Sequence, residues 1–352
     1  MTNEMKIATV IPHWNKRNLL DKCLKSLFNQ SVKSTIIVVD NNSTDNSREL
    51  LESYEKKNKI IAIYNHKNKG FTGGVIPGMQ YALDHNFDAV ALFNNDAIAD
   101  RDWLKNLASS LSGNQDLKSK NRIGMVTCSF RNIDKKHIDS TGDQFTVWGL
   151  PYPRGRDTLV SRQSSVLGEE FVFGASGGAT LYSCEMLRVV GLLDDDFFAY
   201  FEDTDISFRA QLAGWKVMVN HKALAYHATS STSSGMKGFS TYQSIKNWPL
   251  VIIKNVPKSL LPMILPRFML AYTMFITRAF TRRQGLYALR GLFDSIKLWP
   301  KKLHERKIIQ SSKSKKVTDE YIFSIMTHDL PENAHNLRKL RRIWWKLTRR
   351  KI

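Results

Sequence analysis

Short apolar runs alternate with amphipathic stretches through the first hundred residues. Residues 6–12 (KIATVIP) form a continuous apolar run, the pattern of a strand buried on both faces. After it Leu19, Leu20, Cys23, Leu24, Leu27 and Phe28 recur at helical spacing with charged residues between them. Residues 35–39 (TIIVV) are β-branched and end at Asp40, which opens the polar turn Asn41-Asn42-Ser43-Thr44-Asp45. The pattern then predicts a helix over 47–57, a strand over 60–64, a glycine-rich stretch (Gly70-Phe71-Thr72-Gly73-Gly74) leading into another helix, and a fourth strand over 89–93 (AVALF). Strands joined by crossover-length helices predict an α/β fold with a mostly parallel central sheet and flanking helices. In such sheets ligands bind beyond the carboxyl ends of the strands, where Asp40 and the cluster Asn94-Asn95-Asp96 fall.

From Gly124 the pattern shortens and mixes. Strands are predicted over 125–130, 144–148 and 171–173, helices over 181–191 and 204–214, and loops at 229–234 and 311–316. Beyond Lys246 the texture changes again, as Pro249, Pro257, Pro262 and Pro266 interrupt segments rich in Leu, Ile and Met. The expected organisation is a sheet domain over 1–240 and a helical extension over 241–352.

With 42% hydrophobic and 24% charged residues, the chain is neither disordered nor collagen-like. Cys23, Cys128 and Cys184 lie far apart without a CxxC pair, which excludes a disulfide scaffold and fits a reducing cytoplasm. No basic region with an apolar stretch precedes the first strand, and no uncharged apolar run reaches 18 residues. Neither a secretory leader nor an ordinary transmembrane helix is therefore expected. The net charge of +20 is lopsided: residues 246–352 hold 24 Lys/Arg against 6 Asp/Glu, leaving 28 against 26 before them. A nearly neutral body thus carries a basic tail, suited to an anionic membrane or to nucleic acid.

Asp40, at a strand end, reads either as a turn former or as a carboxylate accepting hydrogen bonds from a base or ribose. Asp96 is placed to hold a Mg²⁺ or Mn²⁺ ion, which takes few protein ligands and fills its shell with phosphate and water. In Phe197-Phe198-Ala199-Tyr200-Phe201-Glu202-Asp203-Thr204-Asp205 three acids crowd a helix start beside four aromatic rings. Helix capping accounts for the acids alone. Beside apolar walls, however, a carboxylate acquires a raised pKa and serves as a general base. Arg209 lies one turn on from Asp205, at ion-pair spacing. His227 follows a strand-like segment and reads as a packed histidine or as a ligand completing a divalent site.

Taken in order, VIPHWN, IIVVDNNSTD, NKGFTGG, ALFNNDA, the stretch from GASGGATLYS to FEDTDISFRAQLAGW, and AYHATSS resemble the family 2 glycosyltransferases of GT-A fold over roughly residues 5–235. The nearest subgroup is rhamnosyltransferase-like or galactofuranosyltransferase-like. The resemblance implies the GT-A nucleotide-diphospho-sugar transferase fold, here with a basic helical C-terminal extension. It also implies a nucleotide-sugar donor contacted by Pro12, His13, Asn15, Asp40, Asn42, Gly70, Asn94, Asn95 and Asp96. The family's DxD metal motif falls on Asn94-Asn95-Asp96, whose first acid is replaced, so Asp96 and His227 are the implied ligands of a divalent metal, Mg²⁺ or Mn²⁺. The second acid of the family's ED pair is the implied base, Asp203, with Glu202, Asp205 and Arg209 on the acceptor side. Relatives often have an Asn after the paired glycines, where this chain has Val75-Ile76.

The resemblance further implies an inverting transfer to a glycan or polyprenyl-linked glycan acceptor in cell-surface polysaccharide synthesis. The expected location is cytoplasmic, peripheral on the inner face of the cell membrane, with the apolar stretches 248–258 and 260–280 as an interfacial helix pair on anionic lipid. The basic aromatic end, 337–350, suits lipid or nucleic acid; without a nucleic-acid module, lipid is preferred. The competing reading is a catalytically silent scaffold whose tail binds polyanions or nucleic acid.

Overall fold

The computed structural model describes residues 5–113, 122–162, 168–227 and 236–330. The loop expected at 229–234 and the basic end at 337–350 lie outside these residues.

The first half follows the predicted alternation: β1 (Ile7–His13), α1 (Arg17–Phe28), β2 (Thr35–Asp40), α2 (Ser47–Glu55), β3 (Ile61–Tyr64), α3 (Gly70–Asp84) and β4 (Ala89–Phe93). β1 pairs in parallel with β2 and β4, and β2 with β3. The glycine-rich stretch does not precede α3 but forms its first turns. A Cβ at Gly74 would meet Asn41 at 2.5 Å, and one at Gly78 would meet Val10 at 2.5 Å, so these glycines let the helix lie directly on the sheet.

The second half is β5 (Ala97–Ala99), α4 (Trp103–Ser112), β6 (Ile123–Asn132), β7 (Ile138–Ser140), β8 (Asp143–Phe145), β9 (Pro151–Pro153), β10 (Glu169–Val172), β11 (Ala179–Ser183), α5 (Cys184–Val190), α6 (Glu202–Leu212) and β12 (Lys216–His227). The main sheet runs β10-β12-β6-β11-β4-β1-β2-β3, with β11 antiparallel between β6 and β4. Two expectations are corrected here. Residues 181–183 belong to a strand rather than a helix, because Thr180, Leu181 and Tyr182 are buried between β4 and β6, and Ser183 then caps α5 by accepting from the Met186 N–H. Thr146 bridges Thr327, and residues 147–149 then form a turn rather than continued strand. Apolar cores fill both faces of the sheet, and Cys23, Cys128 and Cys184 are buried and unpaired.

The C-terminal region comprises α7 (Phe239–Asn255), α8 (Leu261–Thr281), α9 (Gly285–Ile309) and α10 (Asp319–Ile325), with a turn at 311–316 as expected. A third core joins it to the sheet domain: Trp248, Ile252 and Phe268 pack with Phe145, Phe197 and Phe208. Trp248 Nε1 donates to the Gly149 carbonyl. The segment Lys258–Thr281 is a helix of 24 residues, long and apolar enough to cross a membrane by length and composition. One side of it packs on the protein. Phe268 and Tyr272 pack on Trp248 at centroid distances of 5.3 and 5.8 Å, and the Tyr272 hydroxyl donates to the Ile245 carbonyl at 2.8 Å.

Candidate active site

The candidate site is built where β1, β2, β4 and β12 end, against the start of α6. At its left edge Asp40 is buried and turned back on its own loop, accepting from the Ser43 hydroxyl at 2.5 Å and the Ser43 N–H at 3.2 Å. Asn42 is exposed with φ +63°, and Asn15 has φ +56°. The Asn15 side chain accepts from the Thr44 N–H at 2.8 Å, so it clamps the two strand-end loops together. Asn41 is the hinge between them: its N–H donates to the His13 carbonyl at 2.7 Å, and its side-chain amide to the Gly70 carbonyl at 2.6 Å. Pro12 lies against Gly74 at the end of β1.

In the centre Asn95 donates through Nδ2 to His13 Nδ1 at 2.9 Å. The His13 imidazole is therefore an acceptor at Nδ1 and carries its hydrogen on Nε2. Burial lowers its pKa to about 4 against the pull of Asp40 and Asp45, so it is neutral at pH 7. Its Nε2 is buried without a partner among the described residues, a donor placed between Asp40 and the β4 cluster.

On the right Asp96 meets His227, with Oδ1 and Nε2 3.1 Å apart. The other ring nitrogen, Nδ1, is 3.1 Å from Asp139 Oδ2, and Asp139 is held in turn by Arg156 at 3.0 Å. Phe130 stacks on the imidazole at 4.8 Å. Burial opposes charge on His227, yet its hydrogen bonds to Asp139 and Asp96 raise the pKa to about 9. Without a metal, the protonated imidazole answers the two carboxylates; a bound ion would take the place of the Nε2 proton. The donor set fits a hard divalent ion: one carboxylate and one imidazole, the latter oriented by a second carboxylate as metal-bound histidines commonly are. A different acidic cluster, Asp194, Asp196 and Glu305, does not fit. Lys302 Nζ sits among its oxygens at 2.5, 2.7 and 3.0 Å, and Lys254 adds a second ammonium, so the charge is already answered.

Asp203 and Glu202 open α6 after an unusual approach. Phe198, Tyr200 and Phe201 all have positive φ, between +64° and +73°. Such backbone is costly for aromatic residues and persists only where surroundings enforce it. Here α7 enforces it: the buried Asn247 amide lies 2.8 Å from each of the carbonyls of Phe197, Ala199 and Tyr200, and Lys246 Nζ donates to the Asp196 carbonyl at 2.8 Å. On the other side Gly70, at φ +73°, approaches Phe198 so closely that a Cβ would fall 2.3 Å from its carbonyl oxygen. The Thr72 N–H donates to that same carbonyl at 3.1 Å.

Burial raises the Asp203 pKa, while N–H groups of Thr204 and Gly177 work to hold it down. Glu202 is pushed well above the usual range by burial and by the neighbouring Asp203 charge, and Asp143 likewise. Glu202 Oε2 is buried without a partner among the described residues.

The turn Ser176-Gly177-Gly178 joins the two halves. The Gly177 N–H points to Asp203 Oδ2 at 3.4 Å, and the Gly178 carbonyl accepts from the Asn94 N–H at 2.9 Å. A Cβ at Gly178 would meet the Phe130 ring at 2.7 Å and Asn94 Nδ2 at 3.0 Å. The structure therefore brings Asp203, Asn94, Asn95, Asp96 and His227 into one contiguous set, with His13, Asp40 and Gly70 continuing it.

Asp205 and Arg209 require correction. Asp205 is fully buried and its carboxylate bonds to Arg209 at 2.9 Å, Lys254 at 3.0 Å and Asn255 at 2.8 Å. Arg209 also donates to the carbonyls of Val190 and Leu192. Both are committed to holding α6 on α7 and α5, leaving neither to bind an acceptor. Conversely Asp139, Asp143, Gly177, Gly178, Lys246 and Asn247 are site or support residues absent from the sequence reading. The paired glycines between two strand-like runs were a visible signal; Asn247, a polar residue amid Ile245, Trp248 and Leu250, was a faint one.

The architecture is a GT-A type fold, with a mostly parallel central sheet and flanking helices. Residues 9–149 match the family model "Glycosyl transferase family 2". The poly(ribitol-phosphate) beta-glucosyltransferase of Bacillus spizizenii is 41% identical over 73 residues, covering 20% of this chain and 12% of that protein. The chain thus spans only a small part of this curated relative. Among solved structures, S. aureus TarS 1–349 in complex with UDP-GlcNAc superposes with TM-score 0.53 at 15% identity, over 93% of this chain and 94% of that one. The mannosyltransferase PcManGT from Pyrobaculum calidifontis, in complex with GDP-Man and Mn²⁺, gives TM-score 0.52 at 14% identity, over 88% and 86% of the chains.

Proposed function

We propose that this protein transfers a sugar from a nucleotide-sugar to a hydroxyl of a glycan or lipid-linked glycan, with inversion and with Asp203 as general base. The observation that carries this reading is the Ser176–Gly178 turn, which ties the base to the Asn94-Asn95-Asp96 cluster so that proton acceptor and diphosphate site share one rigid support. The acceptor oxygen attacks the anomeric carbon as its proton passes to Asp203, and the bond to the diphosphate breaks, releasing a nucleoside diphosphate. Asp96 and His227 would hold a divalent ion, which when bound supplies a Lewis acid for the charge developing on that leaving group. Glu202, whose pKa burial and the Asp203 charge push up, has an oxygen without a partner among the described residues, available to orient the incoming hydroxyl. In this reading the His13 Nε2–H and the Asp40 loop would meet the nucleotide.

Similarity to an enzyme of poly(ribitol-phosphate) glycosylation supports a role in cell-surface polysaccharide synthesis. The narrower rhamnosyl- or galactofuranosyl-type donor rests on the sequence motifs, whereas the similar proteins named above carry glucosyl, GlcNAc or mannosyl groups in their names.

The metal assignment has its own test. Asp96→Ala should weaken donor binding and abolish its dependence on Mn²⁺ in calorimetric titration, and His227→Ala should do so more mildly. Asp139→Asn, which only reorients the imidazole, should cost about 10- to 100-fold in metal affinity. Unchanged metal titrations in Asp96→Ala and His227→Ala would remove both from the site.

A further inference from the structure

The outer side of α8 and α9 is apolar and basic together. On α9 Leu286, Leu289, Phe293, Ile296 and Leu303 recur along one side of the helix, all exposed, with Leu286 at 83% and Phe293 at 62%. Leu265, Met269 and Phe280 extend the exposed apolar surface on α8. Patches of this kind on a soluble domain mark an interaction surface. Arg278, Arg282 and Arg283 are exposed at the α8–α9 junction, and Arg290, Lys297 and Lys307 are exposed along α9. The opposite sides of the same helices are buried, so the surface is pre-formed.

We propose that α8 and α9 form a docking surface for an anionic lipid bilayer, lying in the plane of the interface with the apolar stripe inserted and the basic residues at the headgroups. Charge complementarity selects this occupant. A second copy meeting the same face would bring its own Arg and Lys against these, whereas anionic headgroups answer them. In-plane rather than spanning placement follows from the packing of Phe268 and Tyr272 on Trp248, which a crossing helix would have to give up.

The surface also leads to the base. Tyr287 of α9 packs against Gly238, where a Cβ would meet the ring at 2.3 Å. The adjacent Phe239 lies 6.1 Å from Phe198 and 6.0 Å from Tyr200, centroid to centroid, in the strained loop that delivers Glu202 and Asp203. A bilayer on this face therefore lies next to the loop that leads into Glu202 and Asp203, which, on the proposed function, suits an acceptor carried on lipid.

The test is flotation of the full chain with phosphatidylglycerol vesicles and with phosphatidylcholine vesicles, at low and high salt. Most of the protein should float with phosphatidylglycerol at low salt and much less with phosphatidylcholine, and salt should leave a resistant remainder. The double variant Leu289→Glu/Phe293→Glu should lose that remainder at an unchanged melting temperature. Arg282→Glu/Arg283→Glu, at an exposed turn, should weaken low-salt binding about tenfold or more. The proposal is overturned if the full chain stays soluble with phosphatidylglycerol at low salt. It is equally overturned if light scattering finds a dimer that Phe293→Glu dissociates while vesicle binding is unaffected by both variants. Neither result depends on sugar transfer.

Discussion

Asp203→Asn should abolish transfer, by about 10³-fold or more, while leaving donor affinity nearly unchanged. The amide keeps the shape of the carboxylate, and its one oxygen can keep the shorter of the two N–H contacts, that from Thr204, but it takes no proton. Among the described residues Asp203 is linked to the Asn94–Asp96 cluster through the backbone of the Ser176–Gly178 turn, so the donor side should feel little of the change. A loss in kcat without a matching loss in donor binding is the signature of a group used only in the transition state. Near-normal turnover would remove Asp203 as the base and make Glu202 the first substitute.

The second large effect is on stability. Asp205→Ala should destabilise the protein by about 3–5 kcal/mol in denaturant unfolding, because it leaves Arg209 and Lys254 buried with their shared partner gone. The effect should depend on pH with a definite sign. Burial works to raise the Asp205 pKa, but Arg209 and Lys254 hold it below the usual carboxylate range, and Lys254 and Lys302 do the same for Asp194. A depressed carboxylate stabilises the fold above its unfolded pKa, near ~4, and this is lost as pH falls below that value. The gap between wild type and Asp205→Ala should therefore be full at neutral pH and narrow below about pH 4. An Asp205→Ala protein of unchanged stability with weakened acceptor binding would return Asp205 to the acceptor site.

Much of the site was legible because its parts sit where local rules place them. Asp40 and Asp96 follow apolar runs that could only be strands, and strand ends of a parallel sheet are where ligands gather. The crowding of Glu202 and Asp203 by aromatic residues was also visible in the chain. What the sequence could not give is pairing across long separations. Asp139 reaches His227 from 88 residues away, and Asn247 reaches the Phe197–Tyr200 carbonyls from nearly 50. The spacing of Asp205 and Arg209 did predict their ion pair, yet not its burial, since that depends on Lys254 arriving from α7. The same helix explains why residues beyond 240 bear on the site: they supply the grip on the strained loop.

On the proposed function, the Asp40–His227 edge of the sheet binds a nucleotide-sugar with the help of a divalent ion. A thermal-shift panel of uridine, guanosine and deoxythymidine diphospho-sugars on the full chain, with and without Mn²⁺, tests it most directly, since a ligand that binds only the folded state must raise its stability. At least one nucleotide-sugar should raise the melting temperature with Mn²⁺, by about 2.7 kcal/mol of stabilisation at a hundredfold excess over its dissociation constant, and far less without it. A panel in which no nucleotide-sugar shifts the transition, while a polyanion does so in a salt-sensitive manner, would contradict the account and leave a silent scaffold in its place.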